Sequence, residues 1–177
     1  MAEILRLAVF DLDFTVWKPE MYQIYGPPKQ RKKDKNIIVT DRHDTPIEIF
    51  DGASYALAHI NKLNDEQNMD IQAAVASRTD EPAWAQQCMD WLTIHDGTTL
   101  TACFHHVEIH FSDKKEHFER LHEKTGISYE SMVFFDNESR NINSVKQLGV
   151  KCIYTPDGMT RQHWDDALEM FGLEKDE

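Results

Sequence analysis

Four short stretches of the chain are largely apolar rather than alternating: Leu5–Leu12, Ile71–Ala76, Met132–Phe135 and Val150–Tyr154. A strand that is apolar at every position has both faces covered, which is the pattern of a parallel sheet held between helices. Helical patterns fill the intervals. Tyr55–Leu63 is amphipathic after Asp51-Gly52, and the run from Trp84 to Leu92 sets Trp84, Ala85, Cys88, Trp91 and Leu92 on one face, with Pro82 in its first turn. Ser139 is placed to cap a helix presenting Ile142, Val145 and Leu148 and stopped by Gly149. Thr160 is placed to cap a last helix carrying Trp164, Ala167, Leu168 and Phe171 and stopped by Gly172. This alternation predicts a single α/β domain over residues 1–177, a Rossmann-like, doubly wound parallel sheet.

One segment, 18–49, breaks the rhythm. It holds Pro27-Pro28, a basic cluster (Lys29, Arg31, Lys32, Lys33, Lys35) and two β-like pieces, Asn36–Thr40 and Pro46–Phe50, with Arg42-His43-Asp44 placed to turn a hairpin between them. It is too long for an ordinary βα connection and too short for a second domain, so it is expected to form a small β-hairpin flap over the carboxyl edge of the sheet. The cluster is open to three readings: a solvated face, a nuclear-localisation or nucleic-acid patch, or a guide for anionic substrates.

Composition narrows the classes. The chain has 177 residues with 19 Lys+Arg against 31 Asp+Glu, a formal net charge of −12. That balance argues against a nucleic-acid partner, because phosphate neutralisation needs a basic face. No apolar run approaches the ~20 residues of a membrane span, and the start Met-Ala-Glu-Ile-Leu-Arg lacks the order of a secretory leader. Cys88, Cys103 and Cys152 are odd in number and far apart, which reads as reduced thiols filling the core of a cytoplasmic protein, with a nuclear role left open by the basic cluster. A monomer is expected.

Ligands of open α/β sheets bind beyond the carboxyl ends of the strands. There the sequence places Asp11-Leu12-Asp13-Phe14-Thr15, then Ala76-Ser77-Arg78-Thr79, and Phe135-Asp136-Asn137-Glu138. Lys114 follows the Phe104–Phe111 piece at the expected start of a helix, where a cation opposes the helix dipole and calls for a fixed anionic partner; Lys115 is its neighbour and competitor. Gathered carboxylates with an amide point to a hard divalent cation, Mg²⁺ rather than zinc. Phosphate-ester cleavage needs these parts: an anionic nucleophile (Asp11), an acid and base (Asp13), and positive charge to let it meet an anionic phosphoryl group. His105, His106 and His110 would suit zinc only on a helix, and that segment reads as strand and loop. Trp17 is a candidate substrate wall.

The ordered set Asp11-Leu12-Asp13-Phe14-Thr15, Ser77, Lys114 and Asp136-Asn137 resembles the four motifs of the haloacid dehalogenase superfamily. Ala76–Thr79, His117–His122 with Lys124-Thr125-Gly126, Val133–Asn141 and Asp157-Gly158-Met159 resemble its magnesium-dependent phosphatase (type one) family. The resemblance implies a Rossmannoid phosphatase without a large cap domain. Asp11 would be nucleophile and metal ligand, and Asp13 acid and base with its carbonyl on Mg²⁺. Leu12, Ser77, Arg78 and Lys114 would meet substrate, while Asp136 and Asn137 would complete the metal site, with Asp136 also orienting Lys114. The substrates it implies are phosphoproteins carrying phosphotyrosine, or phosphorylated small molecules such as sugar phosphates. The departure is Asn137, where that family usually has a second Asp; weaker metal binding is expected, not lost chemistry. A non-catalytic phospho-ligand-binding module on the same scaffold is the alternative, against which the presence of both Asp11 and Asp13 speaks.

Overall fold

A computed structural model describes residues 3–175, so the first two residues of the N-terminal segment read above lie outside it. The chain forms β1 (Leu7–Phe10), β2 (Trp17–Lys18), β3 (Lys29–Lys33), β4 (Asn36–Thr40), β5 (Glu48–Ile49), α1 (Asp51–Gln67), β6 (Gln72–Ser77), α2 (Pro82–Trp91), α3 (Leu100–Cys103), β7 (His106–Ile109), α4 (Lys114–Thr125), β8 (Met132–Asp136), α5 (Ser139–Lys146), β9 (Lys151–Tyr154) and α6 (Arg161–Met170). Five strands make one sheet in the order β7-β6-β1-β8-β9. All four pairings are parallel, with Val9 opposite Ala74 on one side and Phe134 on the other.

Every residue of β1 and β8 is buried, as unbroken apolar runs require when both faces are covered. Side-chain alternation divides them between two cores. Ala8, Phe10, Ala73, Val75, Val133 and Phe135 pack beneath α1, α2 and α6, with Trp164 fully buried among them. Leu7, Val9, Ala74, Ala76 and Phe134 pack beneath α4 and α5, against Phe118, Leu121 and Val145. Gly52 permits the closest approach: a Cβ there would lie 2.2 Å from the Thr160 backbone, so α1 seats directly on the segment entering α6. Among the described residues no helix is long and apolar enough to cross a membrane.

The flap is present, with a different hairpin from the expected one. Asn36–Thr40 pairs antiparallel with Lys29–Lys33, so the basic cluster is itself a strand, exposed at every position. The turn at Arg42-His43-Asp44 exists, held by the Asp41 carboxylate accepting from the backbone N–H of Tyr25, His43 and Thr45. Beyond it Pro46 makes only a single bridge to Thr40, while Glu48–Ile49 turns away to pair with Trp17–Lys18. Met21, Ile24, Val39 and Ile47 bury themselves in the larger core and root the flap. Two local expectations are corrected. Glu138, not Ser139, is the cap of α5. Trp17 is not a substrate wall, because its ring is fully buried.

Candidate active site

β1 delivers Asp11 at its carboxyl end, where the Asp11 N–H still donates to the Phe135 carbonyl at 3.0 Å. The chain then reverses. Phe14 takes φ of 58°, a left-handed conformation that bulky residues rarely adopt, and the Leu12 carbonyl accepts from the N–H of Thr15, Val16 and Trp17. A straight strand would send Asp11 and Asp13 to one side and Leu12 to the other. The turn brings both carboxylates into one cleft and leaves the Leu12 side chain fully buried in the core, so only its backbone can reach a substrate.

Lys114 is the first residue of α4 and is 1% exposed. Its Nζ lies 2.9 Å from Asp11 Oδ1 and 3.3 Å from Asp136 Oδ2, and also donates to the Ala76 carbonyl. These two carboxylates are the fixed anionic partner its position demanded. Lys115 instead points outward to Gln147. Burial opposes the Lys114 ammonium, but its two anionic neighbours prevail and hold its pKa above the ordinary value. Burial raises Asp11 well above the usual carboxylate range, with Lys114 acting against it and Asp136 adding to it. Asp136, fully buried, is raised by the same cause. Its oxygens are further engaged by the Glu138 N–H at 2.7 Å and Asn141 Nδ2 at 3.0 Å. This carboxylate therefore braces Lys114 against the start of α5.

The donor set for a cation lies on the other side of Asp11. The Asn137 carboxamide turns one end atom toward Asp11 Oδ2 and the Asp13 carbonyl, at 3.1 and 3.2 Å. As NH₂ this atom donates to both; as oxygen it completes a trio of hard acceptors that a small divalent cation fits. Asp136, expected as a ligand, is not brought into the trio. Among the described residues no group of three or more His, Cys, Asp and Glu side chains is placed to hold a metal, so such a cation would depend on Asp11, one carbonyl and one amide. His105 and His106 are spent on the Ala73 N–H and on Gln72, and His110 Nδ1 on Ser112, with its Nε2 standing 3.3 Å from Glu108.

Asp13 is half-buried, its Oδ1 accepting from Trp17 Nε1 at 2.9 Å. Burial pushes its pKa to about 6, against the Trp17 and Met21 hydrogen bonds that lower it. Ser77, at the end of β6, lines the same cleft with its Oγ accepting from the Thr79 N–H. Arg78 lies over the Phe111 ring at 5.0 Å, and its buried Nε has no hydrogen-bond partner among the described residues. The cleft encloses about 370 Å³, and exposed Tyr22 and Phe111 stand at its mouth. None of the basic residues from Lys29 to Lys35 lines it.

Three contributors escaped the sequence reading. Thr15 Oγ1 donates to Asp11 Oδ2 at 3.4 Å. Asn141 holds Asp136 from one turn into α5. His117, one turn into α4, sets Nε2 2.9 Å from the Ser77 carbonyl and Nδ1 3.1 Å from the Asp113 carbonyl. The neutral ring has one N–H and so donates to one of these carbonyls while packing against the other, bridging the ends that carry Ser77 and Lys114. Its place in the His117–His122 run was the available signal.

A five-stranded parallel sheet, with an acidic loop after the first strand and a buried lysine facing it, is the architecture of haloacid-dehalogenase-like hydrolases. One such hydrolase from Xanthomonas campestris superposes with a TM-score of 0.64 at 13% identity, covering 96% of this chain and 97% of that one. The N-terminal part of protein BF1531 from Bacteroides fragilis, which contains a phosphatase domain and is complexed with Mg, gives a TM-score of 0.60 at 17% identity over 98% of this chain; the match spans 41% of that solved chain. The chain belongs to the acid phosphatase family, whose model matches residues 3–174. The chain is also 36% identical over 171 residues to magnesium-dependent phosphatase 1 of Homo sapiens, covering 97% of this chain and 89% of the relative.

Proposed function

We propose that this protein is a Mg²⁺-dependent phosphomonoesterase that works through an aspartyl-phosphate on Asp11. The observation that carries the reading is the division of labour between two carboxylates in one cleft. Asp11 is pinned through Oδ1 by a buried lysine, while Asp13, with a pKa near 6, holds a proton in part of the population at neutral pH. An Asp11 oxygen attacks phosphorus as the ester P–O bond breaks, and the Asp13 proton goes to the departing oxygen. Asp13, now a carboxylate, takes a proton from water; the water oxygen attacks phosphorus, releasing inorganic phosphate and restoring Asp11. The Ser77 hydroxyl seats a phosphoryl oxygen, and Lys114, whose three N–H donors face Asp11, Asp136 and the Ala76 carbonyl, contributes its positive charge. Asp11, Asn137 and the Asp13 carbonyl would hold Mg²⁺, which when bound would supply neutralisation of the phosphoryl charge.

Between phosphotyrosine and sugar phosphates, the mouth favours phosphotyrosine. Tyr22 and Phe111 are 68% and 79% exposed there, and an aromatic pair contributes about 0.5–1.5 kcal/mol beyond simple burial. The test is nitrophenyl-phosphate turnover with Mg²⁺ and with EDTA, in the native protein and in Asp11→Asn. Turnover that needs the metal and vanishes in the variant is expected. Undiminished turnover in Asp11→Asn, or none at all in the native protein with Mg²⁺, would overturn the proposal; the latter would favour a phospho-ligand-binding module.

A further inference from the structure

A second cleft, of about 490 Å³, lies behind the flap and shares no lining residue with the first. Its walls are β4, the 46–49 segment and the connection after α2, with Ile37, Val39, Ile47, Ile49 and Leu92 giving an apolar lining. That volume falls within the range of small-molecule sites, which combine an apolar lining with a few placed polar groups. Three such groups are present. Thr40, 1% exposed, lines the cleft, and its Oγ1 has no hydrogen-bond partner among the described residues. Leaving a buried hydroxyl unpaired is unfavourable, and a ligand oxygen would relieve it. Arg31 and Lys33 line the cleft from β3. Arg31 reaches Asp44 only at 3.8 Å, and Lys33 has no carboxylate partner among the described residues.

The register fixes the spacing of these groups. Lys33 stands opposite Asn36 and Lys29 opposite Thr40, so the basic end and the hydroxyl are separated by four residues of strand, about 13 Å at the usual rise. Two carboxylates, Asp44 and Glu48, also line the cleft. Asp44 is already paired with Lys29 at 3.1 Å, so Glu48 alone stands against Arg31 and Lys33, which disfavours a phosphate dianion and leaves room for a single negative charge beside Lys33.

We propose that this cleft binds an elongated apolar carboxylate, its acid group at Lys33, with Arg31 flanking its path, and a hydrogen-bonding oxygen about 13 Å away at Thr40. The site touches β5, whose antiparallel partner is the Trp17–Lys18 strand leading out of the catalytic loop.

Three probes separate the contributions: 10-hydroxydecanoate, decanoate, and uncharged 1,10-decanediol, each titrated below its aggregation threshold while backbone amide resonances are followed by NMR. Saturable shifts are expected at residues 37–40, 47–49 and 92–95, with no comparable shifts at 11–15. The hydroxy acid should bind about 2- to 10-fold tighter than decanoate, the range of one hydrogen bond. Thr40→Val, nearly isosteric, should abolish that advantage while leaving decanoate affinity unchanged. A double Arg31→Gln, Lys33→Gln variant, altered only at exposed positions, should bring both acids down to the diol. Shifts scattered over the surface, equal binding of diol and acids, or an advantage that survives Thr40→Val would each overturn the proposal.

Discussion

Replacing Lys114 by methionine keeps most of the side-chain volume and removes the one cation that both Asp11 and Asp136 face. In the native fold its Nζ sits 2.9 Å from one carboxylate and 3.3 Å from the other, at 1% exposure. Solvent therefore cannot replace it. Deleting one partner of a buried ion pair costs about 3–5 kcal/mol, a large part of the roughly 5–15 kcal/mol that holds a domain together. The sign of the pH dependence follows from the carboxylates left behind. Burial already raises both above their unfolded values, and without the ammonium they rise further. The folded variant then binds more protons than the unfolded chain, so its deficit relative to the native protein should shrink as pH falls from 7.5 toward 5.5. Adding Asp136→Asn removes the surplus charge and should recover roughly half of the loss, a coupling that a double-mutant cycle reads directly. Urea unfolding in EDTA at the two pH values measures all of this without reference to activity. A deficit below about 1 kcal/mol, or one that Asp136→Asn leaves unchanged, would refute the assignment of Lys114 as the internal counter-charge.

His117 is fully buried and its pKa is pushed down to about 4, chiefly by burial, with Lys114 adding to the effect. The folded protein therefore carries fewer protons on this ring than the unfolded chain, and native stability should fall by up to about 3 kcal/mol between pH 6.5 and pH 4; His117→Gln should flatten that slope in thermal unfolding. Asn137→Asp adds a carboxylate to the trio around Asp11 and should lower the Mg²⁺ concentration for half-maximal turnover several-fold, while destabilising the metal-free protein. Phe111→Ala should raise KM for aryl phosphates about 2- to 10-fold and leave small sugar phosphates unaffected, as steady-state kinetics on both would show.

Four of the five strands of the central sheet were legible from their apolar runs, clearest in β1 and β8 where both faces are buried, while the edge strand β7, His-Val-Glu-Ile, carries no such run. The rule that ligands sit beyond the carboxyl ends then located Asp11, Ser77 and Asp136. The flap was harder to read. Lys-Gln-Arg-Lys-Lys has no apolar position to betray a period of two, so this segment read only as a basic cluster on the flap and not as a strand, although its neighbour Asn36–Thr40 was recognised. Trp17 failed for a related reason. An aromatic residue after a catalytic loop can face either way, and the sequence does not show that its ring enters the core while its N–H alone reaches Asp13. His117 and Asn141 act through atoms from distant segments, the Ser77 carbonyl and the Asp136 carboxylate. Such contacts exist only once β6, β8, α4 and α5 are assembled.

The same assembly explains why an amide is tolerated at Asn137. Asp11 and Asp136 share one ammonium, so the innermost group carries a net −1, and a carboxylate at 137 would make it −2. With a divalent cation bound, the amide leaves +1 where a carboxylate would leave zero. A seat that must admit a phosphoryl dianion past an exterior of net charge −12 benefits from that extra positive unit, because association with an anion is governed by the local field at the cleft and not by the distant surface. The trade is weaker retention of the cation for stronger attraction of the substrate. It places the departure from the usual motif on metal affinity and phosphate binding together, in opposite directions. Asn137→Asp should therefore bind Mg²⁺ more tightly and inorganic phosphate more weakly.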